Sequence, residues 1–412
     1  MSESPKARQV IEVHRGIIGP AAPRPRTVRP RTIGDYSNLN ADYREVAQKL
    51  SSPLVMGPPI CDELVAFVQH LLTEEEAAVV RYLGPMRGKT AGQVARKARR
   101  PVDQVAPILE RLAMTKRVIG SDGFGRKCRY RLMPIMPGIF EMVLVTETPE
   151  TLSDWHRTFI ELFEALYETG YAAAFNQHPT RTIRYLPVGR ALDAHPMALP
   201  SDHMEAVLDR FTVFGLGQCQ CRTTMAVLGH GCGKPLANCM AMGDWAVLGI
   251  RHGWLKKVER RDVLEIKREA ESHGMVNFVI NVESARSQVS CSCCGCCCKA
   301  MRTMNEFNAP SLVAPPHFLP AFDHDRCTYC GKCATACPMG ALTVDLPQKS
   351  RRHARQRCIG CGVCAVACPQ PGAVTMQPAP KYDPPYSGWF SLLAHNAPAM
   401  AKNAWQAWRS RP

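Results

Sequence analysis

The sequence has no uninterrupted apolar run approaching the roughly 20 residues needed to span a bilayer, so no ordinary transmembrane helix is expected. Nor does it open on an apolar stretch. Met1-Ser-Glu-Ser-Pro-Lys is polar, so neither a secretory signal nor a disulfide-forming compartment is implied, and a cytoplasmic protein is expected. Acidic residues are the scarcer charge, 36 against 51 Lys and Arg, for a formal net charge of +15. There is no P-loop, no Gly-x-Gly-x-x-Gly opening a helix after a strand, and no evident Ser/His/Asp arrangement. Nothing therefore points to an independent catalytic constellation, and no catalytic residue is assigned.

Cysteine is what the chain has in excess: 20 in 412 residues, a length that allows two or three domains with their own cores. In a reducing compartment these read as thiolates holding metal. The stretch from Asp323 to Met376 is one unit written twice. Cys327-Thr-Tyr-Cys330-Gly-Lys-Cys333-Ala-Thr-Ala-Cys337-Pro338 is followed by Cys358-Ile-Gly-Cys361-Gly-Val-Cys364-Ala-Val-Ala-Cys368-Pro369, each cysteine having a counterpart 31 positions on. Each copy is C-x2-C-x2-C-x3-C-P and runs into a short apolar segment, Ala341–Val344 and Ala373–Met376. Zinc needs only four ligands and would not call for this doubled spacing.

The repeat resembles the bacterial two-cluster ferredoxin, in which three close thiolates hold one cubane and the fourth crosses to the other. Carried over, the resemblance implies one [4Fe–4S] cluster on Cys327, Cys330, Cys333 and Cys368. It implies a second on Cys358, Cys361, Cys364 and Cys337, within a pseudo-twofold β-α-β fold. Such centres carry net negative charge, so +15 overstates the loaded protein, and nearby cations can serve as compensation.

A second cysteine region lies upstream: Cys219, Cys221, Cys232 and Cys239, then Cys291, Cys293, Cys294, Cys296, Cys297 and Cys298. Between the two groups come a helix near Arg261 to Ser272, closed by Gly274, and an apolar strand, Met275 to Val282. A small α/β domain uniting both groups is expected. Ten thiolates exceed the needs of one cubane, and neighbours in an extended segment point to opposite sides, so Cys296, Cys297 and Cys298 are not expected to share a centre. Gly295 permits a sharp turn. One or two further iron–sulfur clusters are expected, with a structural zinc on Cys219, Cys221, Cys232 and Cys239 as the alternative and a thiolate-rich copper site behind it. Some of these cysteines could remain free thiols with redox chemistry of their own, and a cluster with an open iron position at Cys291 to Cys298 would be the place for catalysis if there is any.

The remainder reads as an α+β, multidomain chain. Residues 1–60, rich in Pro and Arg, show no periodicity and read as an extended or disordered basic arm. Residues 61–140 offer three helices, opened by Thr73-Glu-Glu-Glu76, Thr90 and Val102, then a turn at Ser121–Gly125 and a strand Arg126–Leu132 with Cys128, Tyr130 and Leu132 on one side. That order looks like a winged helix. Arg96, Lys97, Arg99 and Arg100 could meet phosphates, while Asp103 and Glu110 on the third helix would repel them, so DNA is disfavoured as a partner. Residues 141–215 read as a helical connector carrying Phe159, Leu162, Phe163 and Leu166, 216–310 as the cysteine-rich metal-binding domain, and 311–380 as the ferredoxin domain. Residues 381–412 form an amphipathic tail with Trp389, Phe390, Trp405, Trp408, Lys402, Arg409 and Arg411, suited to a partner protein and secondarily to a membrane surface at the inner face. The basic run Lys349–Arg357 between the two motifs would attract an acidic redox partner.

Taken together, the helical and winged module, Cys219-x-Cys221-Arg222, Gly233-Lys234-Pro235-x3-Cys239, the Cys-Cys-Gly-Cys-Cys-Cys run and the terminal ferredoxin resemble a group of multi-cluster iron–sulfur proteins from anaerobic bacteria, over roughly Asp62 to Pro378. The resemblance implies relay of single low-potential electrons as a subunit or close partner of a larger oxidoreductase. A redox- or metal-responsive winged-helix regulator and an electron-donating maturation factor for a metalloenzyme are the alternatives.

Overall fold

The chain mixes a largely helical stretch with antiparallel sheets, in keeping with an α+β class. The computed structural model describes residues 7–85, 87–123, 125–192, 195–283, 286–309 and 312–409, so Met1–Lys6, Phe124 of the expected turn and Arg411 of the tail lie outside the described residues. The chain divides into two units: residues 1–24 with 176–400, and residues 25–175 with 401–412.

The helical unit follows its capping signals. Thr73 Oγ1 accepts from the Glu76 amide (3.3 Å) while Glu76 Oε2 accepts from the Thr73 amide (2.9 Å), opening the helix Glu74–Val80. Thr90 and Gln93 repeat the device at Ala91–Ala98. The next helix, Val102–Glu110, continues as a π-helical segment to Thr115. An antiparallel hairpin, Ile119–Asp122 with Arg129–Leu132, follows, and Cys128, Tyr130 and Leu132 are buried beneath it. The second strand starts later than its alternation suggests because a 3-10 turn, Gly125–Lys127, occupies the beginning, with Gly125 at φ +58°.

The expected connector is divided between the units. Helix Asp154–Glu168, capped by Ser153, stacks Phe163 on Phe140 (ring centroids 4.1 Å) and sets Phe159 beside Phe67 (5.4 Å), which places it in the helical core. Strand Ile183–Tyr185 instead pairs with Val276–Ile280 in the other unit. Aromatic packing claims the first half of the segment, and a sheet partner some hundred residues away claims the second.

The other unit is built on a six-stranded antiparallel sheet, in the order Ile183–Tyr185, Val276–Ile280, Ser287–Cys293, Ala237–Gly243, Phe214–Gln218, Lys256–Val258. Helix Arg260–Ser272 buries Val263 against Met240 and Met242 on one face. Downstream, strands Phe318–Phe322 and Val374–Pro378 pair antiparallel, as do Leu342–Asp345 and Ser350–His353. The sequence repeat is also a structural repeat. Gly331 and Gly362, 31 positions apart, both take positive φ (77° and 73°) at the starts of the short helices Lys332–Thr335 and Val363–Val366.

The start of the chain departs from the expected arm. Ile11–His14 and Ile17–Pro20 form a hairpin whose second strand pairs with Leu342–Asp345, Ile18 opposite Val344. Ile18 is buried there, and a Cβ on Gly331 would fall 2.3 Å from its Cδ1. Two four-residue strands amid Pro and Arg carry too short a pattern to read, and their partner lies over three hundred residues away. The helix at the other end runs Trp389–Arg409, so it begins well before Pro398, and it leaves Phe390, Leu393, Trp405 and Trp408 exposed. No described helix is long and apolar enough to cross a membrane.

Candidate metal centres

The ferredoxin repeat brings its cysteines together across the two copies. Cys327, Cys330, Cys333 and Cys368 line one small cavity with Tyr329, Gly331, Val344, Arg351 and Val374. Three of these cysteines come from the first copy and Cys368 from the second. Cys358, Cys361, Cys364 and Cys337 lie deeper: Cys361 and Cys364 are buried, and burial pushes the Cys358 thiol up to about 12. A buried thiol resists ionisation, whereas a metal ligand must be ionised, so loading either set would release protons. Backbone amides reach the sulfurs, Tyr329 N–H to Cys327 (3.4 Å) and Ala341 N–H to Cys337 (3.3 Å). Arg351, from the basic run, donates to Cys327 Sγ (3.2 Å) and lies over the Phe322 ring. Arg357 turns inward to the Met339 carbonyl (3.0 Å), while Lys349, Arg352 and Arg355 remain exposed. The run is thus neither wholly a solvated loop nor wholly a docking face, a division that a row of like charges does not announce.

In the second cysteine region the sheet sorts ten thiols into two sets. Cys291 and Cys293 sit two apart on one strand and so share a face. Cys239 lies on the neighbouring strand, its Sγ 4.0 Å from that of Cys291. Cys219 caps helix Gln220–Val227, Cys221 lies in its first turn, and Cys298 caps helix Lys299–Phe307. Thiol contacts run Cys219 to Cys221 to Cys298 to Cys293, so these six form one largely buried row, in which Cys221, Cys239 and Cys291 keep some exposure.

Cys232, Cys294, Cys296 and Cys297 form the other set, all four sulfurs within 4.8 Å of one another. This corrects one expectation and the reason for another. The zinc alternative on Cys219, Cys221, Cys232 and Cys239 is not the set that converges, because Cys232 leaves on a loop after helix Gln220–Val227 while the other three stay with the sheet. Cys296, Cys297 and Cys298 do not all share one centre, since Cys298 joins the other set, but the reason is not alternation in an extended segment: the Cys297 and Cys298 amides both reach back to the Cys294 carbonyl (3.4 and 3.1 Å), wind the run into a turn and bring Cys296 and Cys297 to one site. Within the four, the thiol hydrogen bond from Cys232, followed by those from Cys296 and Cys297, holds Cys294 well below the usual thiol range, whereas Cys297 is pushed up.

Sequence reasoning overlooked the buried cations around these thiols. Arg222 donates to the carbonyls of Pro235 (2.8 Å) and Ser292 (2.9 Å) and to Asn238 Oδ1 (2.5 Å). Lys267 reaches the Ser290 carbonyl and Ser292 Oγ, both at 3.3 Å. These are neutral partners, and burying a cation among neutral groups is expensive. Burial draws Lys267 down to about 8 against the opposing pull of Cys291, Cys239 and Cys293. Burial also lowers Arg222, but Cys219, Cys294 and Cys293 outweigh it and raise the group overall. Negative charge on these sulfurs, as metal binding brings, is what such cations would compensate. The available signal was adjacency, Cys221-Arg222 and Cys298-Lys299, with Lys299 also buried.

Gly295 ties the two regions together. A Cβ there would lie 2.1 Å from the Pro338 carbonyl oxygen, which Asn305 Nδ2 also contacts (3.0 Å). The glycine is needed for close approach to the first ferredoxin motif rather than for an unusual φ. In consequence Cys361, with Cys337 and Cys358, packs in the same buried cluster as Cys293 and Cys298.

A doubled set of four thiolates, screened by backbone N–H groups and cations, is the donor arrangement of an iron–sulfur protein. Residues 319–369 match the 4Fe-4S dicluster domain family. No curated protein and no solved structure matches the chain. The dicluster domain and the wealth of cysteines support iron–sulfur binding and an electron-transfer role.

Proposed function

We propose that the chain relays single electrons through two [4Fe–4S] clusters, one held by Cys327, Cys330, Cys333 and Cys368 and the other by Cys358, Cys361, Cys364 and Cys337, as a component of a larger oxidoreductase. The observation that carries this is the cavity closed by three thiols of one repeat and the fourth of the other. Bound clusters would supply reversible one-electron chemistry. The protein's share is to bury, hydrogen-bond and electrostatically tune them, as the Tyr329 and Ala341 amides and Arg351 would do.

The route through the protein follows packing. Cys333 and Cys368 share a cluster of buried side chains with Cys364, and Cys361 shares the next with Cys293 and Cys298 of the buried row. The exposed end is at Cys330, and the run between the two motifs leaves Lys349, Arg352 and Arg355 exposed, which suits an acidic redox partner. The buried row is the natural continuation, as a further cluster site or as the exit to a partner subunit, and the exposed aromatic tail would hold that subunit.

The test is iron and acid-labile sulfide per chain in anaerobically purified protein, followed by reductive EPR titration. About 8 of each with two interacting signals supports the two clusters, about 12 adds a cluster on the row, and iron near zero defeats the reading.

A second reading has one observation in its favour. Arg87, Lys89, Arg96, Lys97 and Arg129 line a groove of the helical unit, a surface suited to phosphates and hence to a redox-responsive regulator. Exposed Asp103 and Glu110 on the following helix count against it. Tight, site-specific duplex binding that changes with cluster oxidation would favour it, and weak binding abolished by moderate salt would dismiss it.

A further inference from the structure

We infer that Cys232, Cys294, Cys296 and Cys297 bind a single zinc ion in a closed tetrathiolate site, separate from the iron–sulfur centres and structural in role. Four thiolates about 2.3 Å from one ion at tetrahedral corners lie about 3.8 Å apart. The sulfur separations here are 3.6 Å for Cys297–Cys232, 3.7 Å for Cys296–Cys297 and 4.0 Å for Cys232–Cys294. A cubane places an iron under each thiolate and moves the outer sulfurs to roughly 6 Å apart, so this set is too tight for one.

The same molecule holds the contrast. Among the described residues no other group of three or more His, Cys, Asp or Glu donors is this compact. The ferredoxin cysteines are described and fall outside that limit, as cubane ligands should.

The surroundings fit a structural ion. Met225, Ala270 and Met275 are buried against Cys294 and Cys297, with Cys232 and Cys296 on the partly exposed side, and four thiolates fill a tetrahedral shell without the open position that a catalytic zinc keeps. Gly229 and Gly233, at φ +77° and +69°, turn the loop that delivers Cys232. Tetrahedral S4 sites take zinc or iron, and divalent zinc binds such ligands more tightly than ferrous iron. Four thiolates on a divalent ion leave a net charge of about −2, and the buried Arg222 guanidinium lies beside Cys294 to meet part of it.

The site has a task in the fold. Cys294 adjoins Cys293, and Cys297 adjoins Cys298, so two of the zinc ligands each sit next to a member of the buried row. An ion here would pin the loop carrying Cys232 to the run and thereby fix Cys293 and Cys298 in place. Zinc cannot relay electrons, so four of the ten thiols would be removed from any redox path.

The experiment uses the full-length chain, purified anaerobically from zinc-replete cells, with zinc, iron and sulfide measured together and X-ray absorption recorded at the zinc edge. Expected are one zinc per chain, a shell of four sulfurs at about 2.3 Å, and retention of the zinc when ferricyanide and EDTA strip iron and sulfide. Cys232→Ser should lose the zinc and keep the iron and sulfide of the two ferredoxin clusters, about 8 of each, whereas Cys239→Ser should keep the zinc. Absence of zinc, a shell containing nitrogen or oxygen, mononuclear iron in its place, or retention of zinc by Cys232→Ser would each overturn the assignment. If that variant does not fold, the absorption spectrum of the unmodified protein decides. Because zinc is counted separately, a protein lacking ferredoxin clusters would refute the electron-transfer reading and leave this result standing.

Discussion

Arg351 and Gly295 carry the sharpest consequences of any single residues. Arg351 places both an N–H donor and a positive charge on Cys327 Sγ, and each stabilises the more negative, reduced state of a cluster held there. Arg351→Met should therefore lower one of the two reduction potentials by tens of millivolts and leave the other nearly in place, which a potentiometric EPR titration would resolve. Equal shifts in both would refute the local assignment. Gly295→Ala forces a methyl group into the Pro338 carbonyl. Overpacking of this kind costs about 1–3 kcal/mol, expected as a lower thermal midpoint and faster loss of iron during chelator challenge. Arg351 was one of several like cations in the sequence, and which of them turned inward was not legible. Gly295 was legible as special, but as a turn rather than as a point of contact.

At the scale of elements, the N-terminal hairpin and the first capped helix make testable claims. The hairpin covers Gly331 and extends the sheet of the first ferredoxin repeat. Deleting residues 1–22 should speed oxidative bleaching of the visible iron–sulfur absorbance several-fold while the helical unit keeps its own unfolding transition. Unchanged bleaching would mean the hairpin is dispensable. Glu76 anchors the helix Glu74–Val80. Burial raises its pKa, but Lys116, the Thr73 amide and Arg111 outweigh burial and hold it below the ordinary value. A depressed carboxylate contributes stability that is complete above its unfolded pKa and lost as pH falls through the folded one. Glu76→Gln should thus cost the helical unit about 1–2 kcal/mol at neutral pH, with the difference from the parent shrinking below about pH 4.5, as read from denaturant midpoints across pH. The capping boxes were readable because the groups involved are three residues apart. The hairpin was not, because its partner strand is remote.

For the whole molecule, the charge balance gives the prediction. Lys349, Arg352 and Arg355 are exposed on the run between the two motifs, and Cys330 is the exposed member of the first cysteine set. Electron transfer to an acidic flavodoxin- or ferredoxin-type carrier should slow steeply as ionic strength rises and the Debye length shrinks from about 10 Å at 0.1 M to 3 Å at 1 M. Stopped-flow rates at several salt concentrations measure this, and a flat profile would remove electrostatic docking from the proposal.

The sequence by itself determined the eight-cysteine repeat, the pairing it implies, the caps of the helices and the presence of a second cysteine-rich region. Ligand spacing and capping are local patterns, written within a few residues and visible wherever the chain goes. Only the tertiary structure decided how the ten cysteines of that region divide, six in a row running from two sheet strands to the starts of two helices and four around one point. That division depends on a strand register, a loop that swings Cys232 across to residues 62 positions on, and a turn that folds Cys294–Cys298 back on itself. It likewise decided which cations are buried and that the chain's start closes the ferredoxin sheet. Contacts between residues far apart in the chain arise from packing the whole core, and no short window of sequence contains them.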